Sequence, residues 1–440
     1  MNILLIDSTS CMLDFAMRCE AQGHSVRTFM GPLKNGDRST IGDGLIEKVA
    51  DWKPSMQWAD LIVLSDNCKY MQQLEGYRNR GFPIFGPNLE VTSWELDRNV
   101  GAAVLEECGI ECLPSIPFKR FDEAIAYQAA HRDTRFVCKP CADVDKSLSY
   151  VSKSHKDMSF MLSHWKRTIP KPPPFIFQEF CPGIEVAVGG WFGRDGFASH
   201  FLENFEFKKL MNDERGPNTG EMGTAMKYVT AEESRLAREL LLPLTPKLLR
   251  SGYTGYIDVA VMVGTEGERK GCLNPLEFTS RPGWPLFNIQ QVLHGDVANW
   301  MKDLLEGRDT FTPRKETALG VVLAMPDFPY GNKTPEELSG FPIWGVDESN
   351  RYFFHPCEMK LGNGIGENGS AEPMLVSAGN YLAVATGLGR TVEEAKSAAY
   401  DVVDQLEIPN SAIYRTDIGC RLEKQLPILQ KHGYCDSWEY

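Results

Sequence analysis

Two apolar segments, 256–263 and 271–278, flank a short polar turn and constrain the fold more than any other part of the sequence. Each is long enough for one strand and the turn suits a hairpin, so we expect them to pair. Asp258 and Glu277 interrupt these apolar runs. A carboxylate among apolar neighbours needs a cation or a hydrogen-bond donor to offset its desolvation, and Mg²⁺ is commonly held by one or two carboxylates together with substrate phosphates. The hairpin is therefore a candidate metal site. The alternative is that both acids face solvent.

The first part of the chain predicts a doubly wound α/β unit. The segment 2–7 is a continuous apolar run of the kind buried in a parallel sheet, and a helical pattern at 13–21 precedes strand-like segments at 24–29, 60–65 and 82–85. Ligands of such units bind at the carboxyl ends of the strands. The residues that follow the first strand contain no glycine, so a dinucleotide-binding fingerprint is absent.

The rest of the chain predicts further α/β structure. We expect a linking helix over 95–109, a compact unit over 112–185 with Lys139 at a strand end, a helix over 230–250 and a third unit that begins with a strand at 319–325. The segment 216–223, Gly-Pro-Asn-Thr-Gly-Glu-Met-Gly, predicts a loop that leads from a strand into a helix. Such a loop can present backbone N–H groups to an anion, although a plain surface connector has the same composition. We interpret 362–369 as a second glycine-rich loop.

Composition excludes several classes of protein. A chain of 440 residues is too long for one hydrophobic core, so we expect several domains. Its formal net charge of −13 disfavours a nucleic-acid surface, which needs a basic stripe. Its apolar runs are too short to span a membrane, and its 12 cysteines lack the spacing of a disulfide framework. We therefore expect a cytoplasmic protein that binds neither nucleic acid nor membrane.

Several motifs together resemble one family. Gly-Pro-Asn-Thr-Gly-Glu-Met-Gly at 216–223, Gly-Tyr-Thr-Gly at 252–255, Leu-Glu-Phe-Thr-Ser-Arg at 276–281 and Arg-Thr-Asp-Ile-Gly at 415–419 resemble, in the same order, motifs of the phosphoribosylamine–glycine ligases, which are ATP-grasp enzymes. The resemblance covers most of the chain. It implies an α/β (α+β) ATP-grasp fold with an N-terminal Rossmann-like domain at 1–88, an ATP-grasp region at 89–314 and a C-terminal rudiment-hybrid-like domain at 315–440. The ATP-grasp region would comprise a lid-like subdomain at 112–185 and a central subdomain at 186–314.

The resemblance also implies a ligase that joins a carboxylate to an amine. The carboxylate attacks the γ-phosphate of ATP, and the amine then attacks the acyl phosphate to give an amide, ADP and phosphate. The implied cofactors are ATP and Mg²⁺ or Mn²⁺, and the implied substrates are an amine and a small carboxylate such as glycine or another amino acid.

The same resemblance implies a role for particular residues. The implied nucleotide-binding residues are Gln178, Glu179, Phe180 and Cys181 for the adenine, Glu185 for the ribose, and Lys139, Lys146 and Lys208 for the phosphates. The implied metal-site residues are Glu277, Thr279 and Asp258, and the implied catalytic residues are Arg281, Asn218 and Thr219. An arginine suits a carboxylate or an acyl phosphate because its guanidinium group can bind two oxygens at once.

Departures from the family pattern bear on the substrates. The family has a glycine-rich turn and an Arg-Glu-His run that receive a ribose phosphate, where this chain has Asp-Ser-Thr-Ser-Cys at 7–11. The family's Gly-Pro-Glu turn is Ser-Asp-Asn at 65–67, and Thr416 replaces a lysine. We therefore expect an amine other than phosphoribosylamine. Asp-Val-Asp-Lys-Ser at 143–147 replaces a glycine-rich lid, and Thr279 replaces an asparagine. Two alternatives stay open: an authentic phosphoribosylamine–glycine ligase, and a nucleotide-binding protein without turnover.

Overall fold

The computed structural model describes residues 1–33, 36–67, 69–141, 148–366 and 369–440, which divide into two compact units. The first unit comprises Met1–Leu89, Ala187–Asp258 and Thr279–Tyr440, and the second comprises Glu90–Val186 and Val259–Phe278. The strands are β1 (Asn2–Asp7), β2 (Ser25–Met30), β3 (Leu61–Leu64), β4 (Ile84–Phe85), β5 (Ser115–Phe118), β6 (Phe136–Pro140), β7 (Tyr150–Val151), β8 (Phe175–Glu179), β9 (Gly183–Gly193), β10 (Gly196–Glu206), β11 (Lys209–Met211), β12 (Arg215–Asn218), β13 (Gly223–Thr230), β14 (Gly255–Gly264), β15 (Leu273–Thr279), β16 (Thr317–Ala324), β17 (Phe354–Pro356), β18 (Met359–Ile365), β19 (Ala371–Ser377) and β20 (Tyr381–Gly389). The α-helices are α1 (Leu13–Ala21), α2 (Met71–Arg78), α3 (Leu89–Leu96), α4 (Arg98–Glu107), α5 (Phe121–Ala130), α6 (His155–Thr168), α7 (Thr245–Ser251), α8 (Leu286–Gln290), α9 (Asn299–Leu305), α10 (Val392–Asp404) and α11 (Leu422–Gln430).

The first unit begins with the predicted parallel sheet. Its strand order is β2–β1–β3–β4, with β1 parallel to both β2 and β3. All but the first residue of β1 are buried because the sheet is covered on both faces, which explains the continuous apolar run. The carboxyl ends of β1 and β3 therefore lie side by side, and the residues that follow these strands are neighbours.

A larger sheet forms the centre of the first unit. Within this unit the first residues of β14 lie beside β9, and the order continues through β10, β13, β16, β20 and β17. Strand β16 is buried along its whole length between β13 and β20. Helix α10 packs on β16 and β20, and it begins after Thr391, whose hydroxyl caps the backbone N–H of Glu394. These contacts fix the strands from which the candidate site is built.

The second unit has a small antiparallel sheet of its own. The strand order is β5–β8–β6–β7, and β8 and β6 pair from Phe136 opposite Glu179 to Pro140 opposite Phe175. Aromatic side chains from the sheet and from α5 and α6 form its core. In the same unit, β15 lies next to the end of β14, which confirms the predicted hairpin.

Two predicted helices differ in the structure. The predicted helix over 95–109 is two helices, α3 and α4, because Asp97 has extended backbone and its side chain caps the N–H of Asn99. The predicted helix over 230–250 is a π turn at Ala237–Leu241, a 3₁₀ turn at Leu242–Leu244 and then α7. Prolines within this stretch remove backbone donors, which interrupts the regular α-helical bonding.

Both glycine-rich segments are also more ordered than predicted. Strand β12 ends inside 216–223 and pairs with β11, and β13 begins at Gly223, so the loop leads into a strand and not into a helix. The residues of β13 include threonine, tyrosine and valine, which favour strands. Part of 362–369 belongs to β18, which pairs with β19. In the part of the chain that the structure describes, no helix is long and apolar enough to cross a membrane.

Candidate functional site

The expected nucleotide-binding residues of the second unit lie on β6, on β8 and just after β8. Lys139 Nζ on β6 donates a hydrogen bond to Gln178 Oε1 on β8 at 2.9 Å. These two side chains line a cavity of about 40 Å³ together with residues of α3, α4 and β15, including Trp94, Arg98, Leu105 and Glu277. A cavity of this volume has room for a few water molecules.

The residues after Gln178 lie in different environments. Glu179 is exposed at the end of β8, while Cys181 is buried. The Arg135 guanidinium carbon lies 3.5 Å from the centroid of the Phe180 ring, a cation–π contact that orients this ring. Glu185 is half-buried on β9. The expected adenine and ribose residues thus lie within one short stretch of the second unit, 178–185, and their contact with a nucleotide stays a prediction. Lys146 lies outside the described residues.

The expected metal ligand Glu277 has a cationic neighbour. Arg98 Nη2 lies 2.7 Å from Glu277 Oε2, and both side chains are partly exposed. Arg98 comes directly after the cap of α4, and no local sequence signal links it to a residue 179 positions later. In the described residues, no group of three or more His, Cys, Asp or Glu side chains is placed to hold a metal. Glu277 fits a Mg²⁺ ion that takes one carboxylate and otherwise binds phosphate and water, and does not fit an ion held by protein alone.

The other two expected metal-site residues lie in the first unit. Asp258 is buried and accepts hydrogen bonds from Asn204 Nδ2 at 3.1 Å and from the Tyr256 hydroxyl at 3.2 Å. Burial, and secondly the charge of Glu206, raise the pKa of Asp258 to about 8. Asp258 therefore carries a proton at neutral pH unless a cation displaces it. Thr279 is half-buried at the end of β15. Both remain predicted metal-site residues.

The glycine-rich loop is attached to the expected phosphate ligand Lys208. The Thr219 hydroxyl and the Thr219 backbone N–H both donate to the carbonyl oxygen of Lys208, at 2.9 and 2.8 Å. Asn218 is exposed on β12. Lys208 Nζ lies 3.0 Å from Glu206 Oε2. The structure thus brings Lys208, Asn218 and Thr219 together, and it gives Thr219 a clear part in holding the loop.

The residues expected near the amine substrate meet where β1 and β3 end. The Ser8 hydroxyl donates to Asp66 Oδ1 at 2.8 Å, and both follow strands of the N-terminal sheet. Burial raises the pKa of Asp66, partly offset by the Ser8 hydrogen bond and the positive charge of Arg281. Arg281 is half-buried and acts on Asp66 electrostatically. The carboxyl group of Asp66 therefore lies at the carboxyl ends of β1 and β3, within the electrostatic reach of Arg281.

The side chains of Trp284 and Tyr381 pack against each other in the first unit and form an aromatic wall. Their ring centroids are 3.8 Å apart, and Trp284 Nε1 lies 3.4 Å from Cys357 Sγ. Glu358 Oε2 accepts the backbone N–H of Tyr381 at 2.9 Å. Tyr381 and Glu358 were not among the predicted site residues, because only the pairing of distant strands brings them near Trp284.

A second cavity, of about 330 Å³, lies in the first unit near this wall. Its charged lining residues are Asp37, Arg38, Lys333, Glu336, Glu358 and Lys360. Arg38 already forms a bidentate ion pair with Asp43, with both N–O distances at 2.8 Å. Among the described lining residues, three acids stand beside three bases.

Arg415 precedes Thr416, the residue that replaces a lysine of the resembled family, and its contacts are structural. It is buried, its guanidinium contacts Glu214 at 2.8 Å and Asp417 at 2.8 and 2.9 Å, and it donates to the Lys209 carbonyl at 3.1 Å. Thr416 instead contacts Asn212, whose Nδ2 donates to Thr416 Oγ1 at 2.6 Å. These contacts anchor the β11–β12 hairpin, which precedes the glycine-rich loop.

Known proteins support the resemblance over most of the chain. No protein-family model matches the sequence. The phosphoribosylamine–glycine ligase of Ralstonia nicotianae is 26% identical over 359 residues, which cover 78% of this chain and 80% of that protein. The ligase of the same name from Helicobacter pylori strain 26695 is 23% identical over 435 residues, covering 96% and 97% of the two chains.

Solved structures show the same fold. The phosphoribosylamine–glycine ligase of Thermotoga maritima has a TM-score of 0.71 at 18% identity and covers 95% of this chain and 100% of its own. The biotin carboxylase domain of Hydrogenobacter thermophilus 2-oxoglutarate carboxylase, solved with magnesium ADP, has a TM-score of 0.63 at 10% identity, with 100% and 98% covered. The predicted α/β ATP-grasp fold is confirmed. The chain is therefore a divergent ATP-grasp ligase related to the phosphoribosylamine–glycine ligases.

Proposed function

We propose that this protein is an ADP-forming carboxylate–amine ligase whose amine substrate is not phosphoribosylamine. The observation that carries the proposal is the contact between Ser8 and Asp66 at the carboxyl ends of β1 and β3. An acid there repels a phosphate and attracts a cation. Among the described residues that line the cavity with Lys333 and Lys360, the acids are as many as the bases.

The proposed roles of the residues follow from their chemistry. Lys139, Lys146 and Lys208 would neutralise ATP phosphates, and the stretch from Gln178 to Cys181 together with Glu185 would hold the nucleoside. Glu277, with Thr279 and Asp258, would hold Mg²⁺ or Mn²⁺, which when bound offsets the negative charge that develops on phosphoryl transfer. Arg281 would orient the carboxylate substrate, and Asn218 and Thr219 would position the glycine-rich loop. Glycine, the amino acid in the relatives' name, is the first carboxylate to test.

In this proposal the amine substrate binds near Asp66, and it carries no phosphate group. A carboxylate becomes a good acyl donor only when phosphate is attached, so the amine must be held near the acyl carbon while water is excluded. The partly exposed aromatic rings of Trp284 and Tyr381 provide an apolar wall for this purpose. We expect the enzyme to work in the cytoplasm, where ATP is plentiful.

The test measures ADP formation from magnesium ATP and glycine with different amines. We expect unphosphorylated primary amines to give a higher kcat/KM than phosphoribosylamine. A higher value with phosphoribosylamine, together with rescue of a purine auxotroph that lacks that ligase, would show that the protein is the purine-pathway enzyme. Nucleotide binding without ADP formation, across a panel of amino acids and amines, would show a binding protein instead.

A further inference from the structure

The cavity of about 330 Å³ in the first unit has a wall that the protein holds in place. This wall is the loop that carries Ser39 and Ile41, whose carbonyl oxygens accept hydrogen bonds from Lys48 Nζ at 2.6 and 2.7 Å. The backbone N–H of Gly42 donates to the Met359 carbonyl oxygen at 2.7 Å, which attaches the loop to β18. Small-molecule pockets have volumes of about 300–1,000 Å³, so this cavity suits a small ligand.

A second wall of the cavity is attached to the end of β19. The Ser377 hydroxyl donates to the Leu338 carbonyl oxygen at 2.7 Å and accepts the backbone N–H of Phe341 at 3.0 Å. The side chain of Leu338 belongs to an apolar part of the lining, which also includes Leu33, Ile41, Pro335 and Ala378. An aliphatic group of a ligand would leave water by contacting these residues.

Glu358 brings a half-buried carboxyl group to the same cavity. Its Oε2 atom accepts the backbone N–H of Tyr381 at 2.9 Å, and a Cβ atom added at Gly379 would overlap this oxygen, so the glycine makes room for the carboxyl group. Burial raises the pKa of Glu358, and the backbone N–H groups of Tyr381 and Asn380 partly offset this effect. In the part of the chain that the structure describes, no cationic side chain pairs with Glu358. A cationic group of a ligand would stabilise its charged form.

Two half-buried lysines supply positive charge to the lining. Lys360 lies on β18, and its side chain has no ion-pair partner among the described residues. Lys333 Nζ donates to the Pro326 carbonyl oxygen at 3.0 Å, and an ammonium group has further N–H donors beyond that one. Arg38, in contrast, is already bound to Asp43 through two N–O contacts of 2.8 Å. Lys333 and Lys360 are therefore the cations that can bind an anionic group of a ligand.

We propose that this cavity binds a free aliphatic amino acid in its zwitterionic form. Lys333 and Lys360 bind the carboxylate, Glu358 binds the ammonium group, and the apolar part of the lining contacts the side chain. Acids and bases are equal in number among the described lining residues, which matches a ligand whose own two charges cancel. The binding can be measured without turnover, so the inference does not depend on the proposed ligase function.

The first test compares three ligands on the whole wild-type protein by calorimetry at pH 7. L-Leucine carries both charges, 4-methylpentanoate lacks the ammonium group, and L-leucinamide lacks the carboxylate. We expect L-leucine to bind, and each of the other two to bind at least about tenfold more weakly because a charge-assisted hydrogen bond is lost. No binding of L-leucine, or equally tight binding of either analogue, would overturn the inference.

The second test assigns the binding to this cavity. We expect K360Q and E358Q each to weaken L-leucine binding at least about tenfold. K424Q and E348Q, at exposed residues of the same unit, are the matched controls and should bind as the wild type does. Glutamine at 358 keeps the size of the side chain and an oxygen for the Tyr381 N–H, and thermal midpoints near that of the wild type show that the variants are folded. Wild-type affinity in folded K360Q would overturn the assignment.

A turnover assay distinguishes the two sources of such a ligand, a substrate and a regulator. With magnesium ATP and glycine, consumption of L-leucine together with ADP formation identifies the bound amino acid as the amine substrate. A changed rate of ADP formation from another amine, with L-leucine recovered intact, identifies it as a regulator. Failure of the proposed function looks different: L-leucine binds in a Lys360-dependent way, but no carboxylate and amine together release ADP from ATP.

Discussion

Arg98 and Glu277 form an ion pair with 2.7 Å between Nη2 and Oε2, so the carboxylate expected to hold the metal already has a cationic partner in the second unit. Metal binding at Glu277 must compete with this pair. Because both side chains are partly exposed, the competition is weak: such pairs contribute about 1 kcal/mol or less.

Removing Arg98 should therefore strengthen metal binding. We expect R98M to bind Mn²⁺ about two- to fivefold more tightly in the absence of nucleotide, which corresponds to the free energy of an exposed pair. Electron paramagnetic resonance of free Mn²⁺ gives the dissociation constant. R120M, at an exposed arginine of the same unit, serves as control. Weaker Mn²⁺ binding by R98M would mean that Arg98 supports the site and does not compete with the metal.

Replacing Glu277 should abolish turnover while the fold is kept. We expect E277Q to lower the rate of ADP formation on the order of 100-fold or more, since a metal ion contributes several kcal/mol to phosphoryl transfer. The fold should survive because Glu277 is partly exposed. E268Q, in the turn of the same hairpin, should keep full activity. Residual activity near the wild-type level in E277Q would remove Glu277 from the proposed metal site.

The buried Asp258 predicts how stability depends on pH. Its pKa is raised from 3.8 to about 8, so over this range the unfolded chain has released a proton that the folded protein still binds. The contribution of Asp258 to the free energy of unfolding therefore falls as pH rises from about 4 to about 8. We expect D258N to lose this part of the decline, as measured by urea unfolding at pH 5, 6.5 and 8. D133N, at an exposed turn, should follow the wild type. Parallel pH profiles for D258N and the wild type would show that Asp258 is ionised when folded.

Replacing Arg415 should lower the free energy of unfolding. Its side chain is 1% exposed and contacts Glu214 and Asp417, so R415A leaves two acids without their cation. We expect a loss of about 2–4 kcal/mol in the free energy of unfolding, somewhat less than for a fully buried pair because Glu214 is partly exposed. R390A, whose arginine is 80% exposed beside Glu394, should change it by about 0.5 kcal/mol or less. Similar losses in the two variants would contradict the structural role of Arg415.

The strands were the most predictable part of the fold. The apolar run 2–7 and the two arms of the 256–278 hairpin are strands because burial on both faces leaves a pattern that is visible in the sequence. The prediction of one helix over 230–250 was wrong. The leucine spacing there is helical, but the prolines prevent a continuous α-helix. Leucines 236, 240, 244 and 248 are nevertheless all buried, as a core role requires.

The candidate site was predictable only where residues are close in the sequence. Gln178–Cys181 and the Lys139 strand could be found from local patterns and the resemblance. Arg98 could not be found in this way, because its contact with Glu277 depends on how α4 packs against β15.

The central claim is that a carboxylate substrate attacks ATP. It is tested most directly by incubating the protein with magnesium ATP, a primary amine and glycine labelled with ¹⁸O in its carboxylate, and measuring the label in the phosphate released. An acyl phosphate requires one labelled oxygen to pass to each phosphate, and this is the result we expect. Phosphate released without label would show that water attacks ATP directly and would contradict the ligase account.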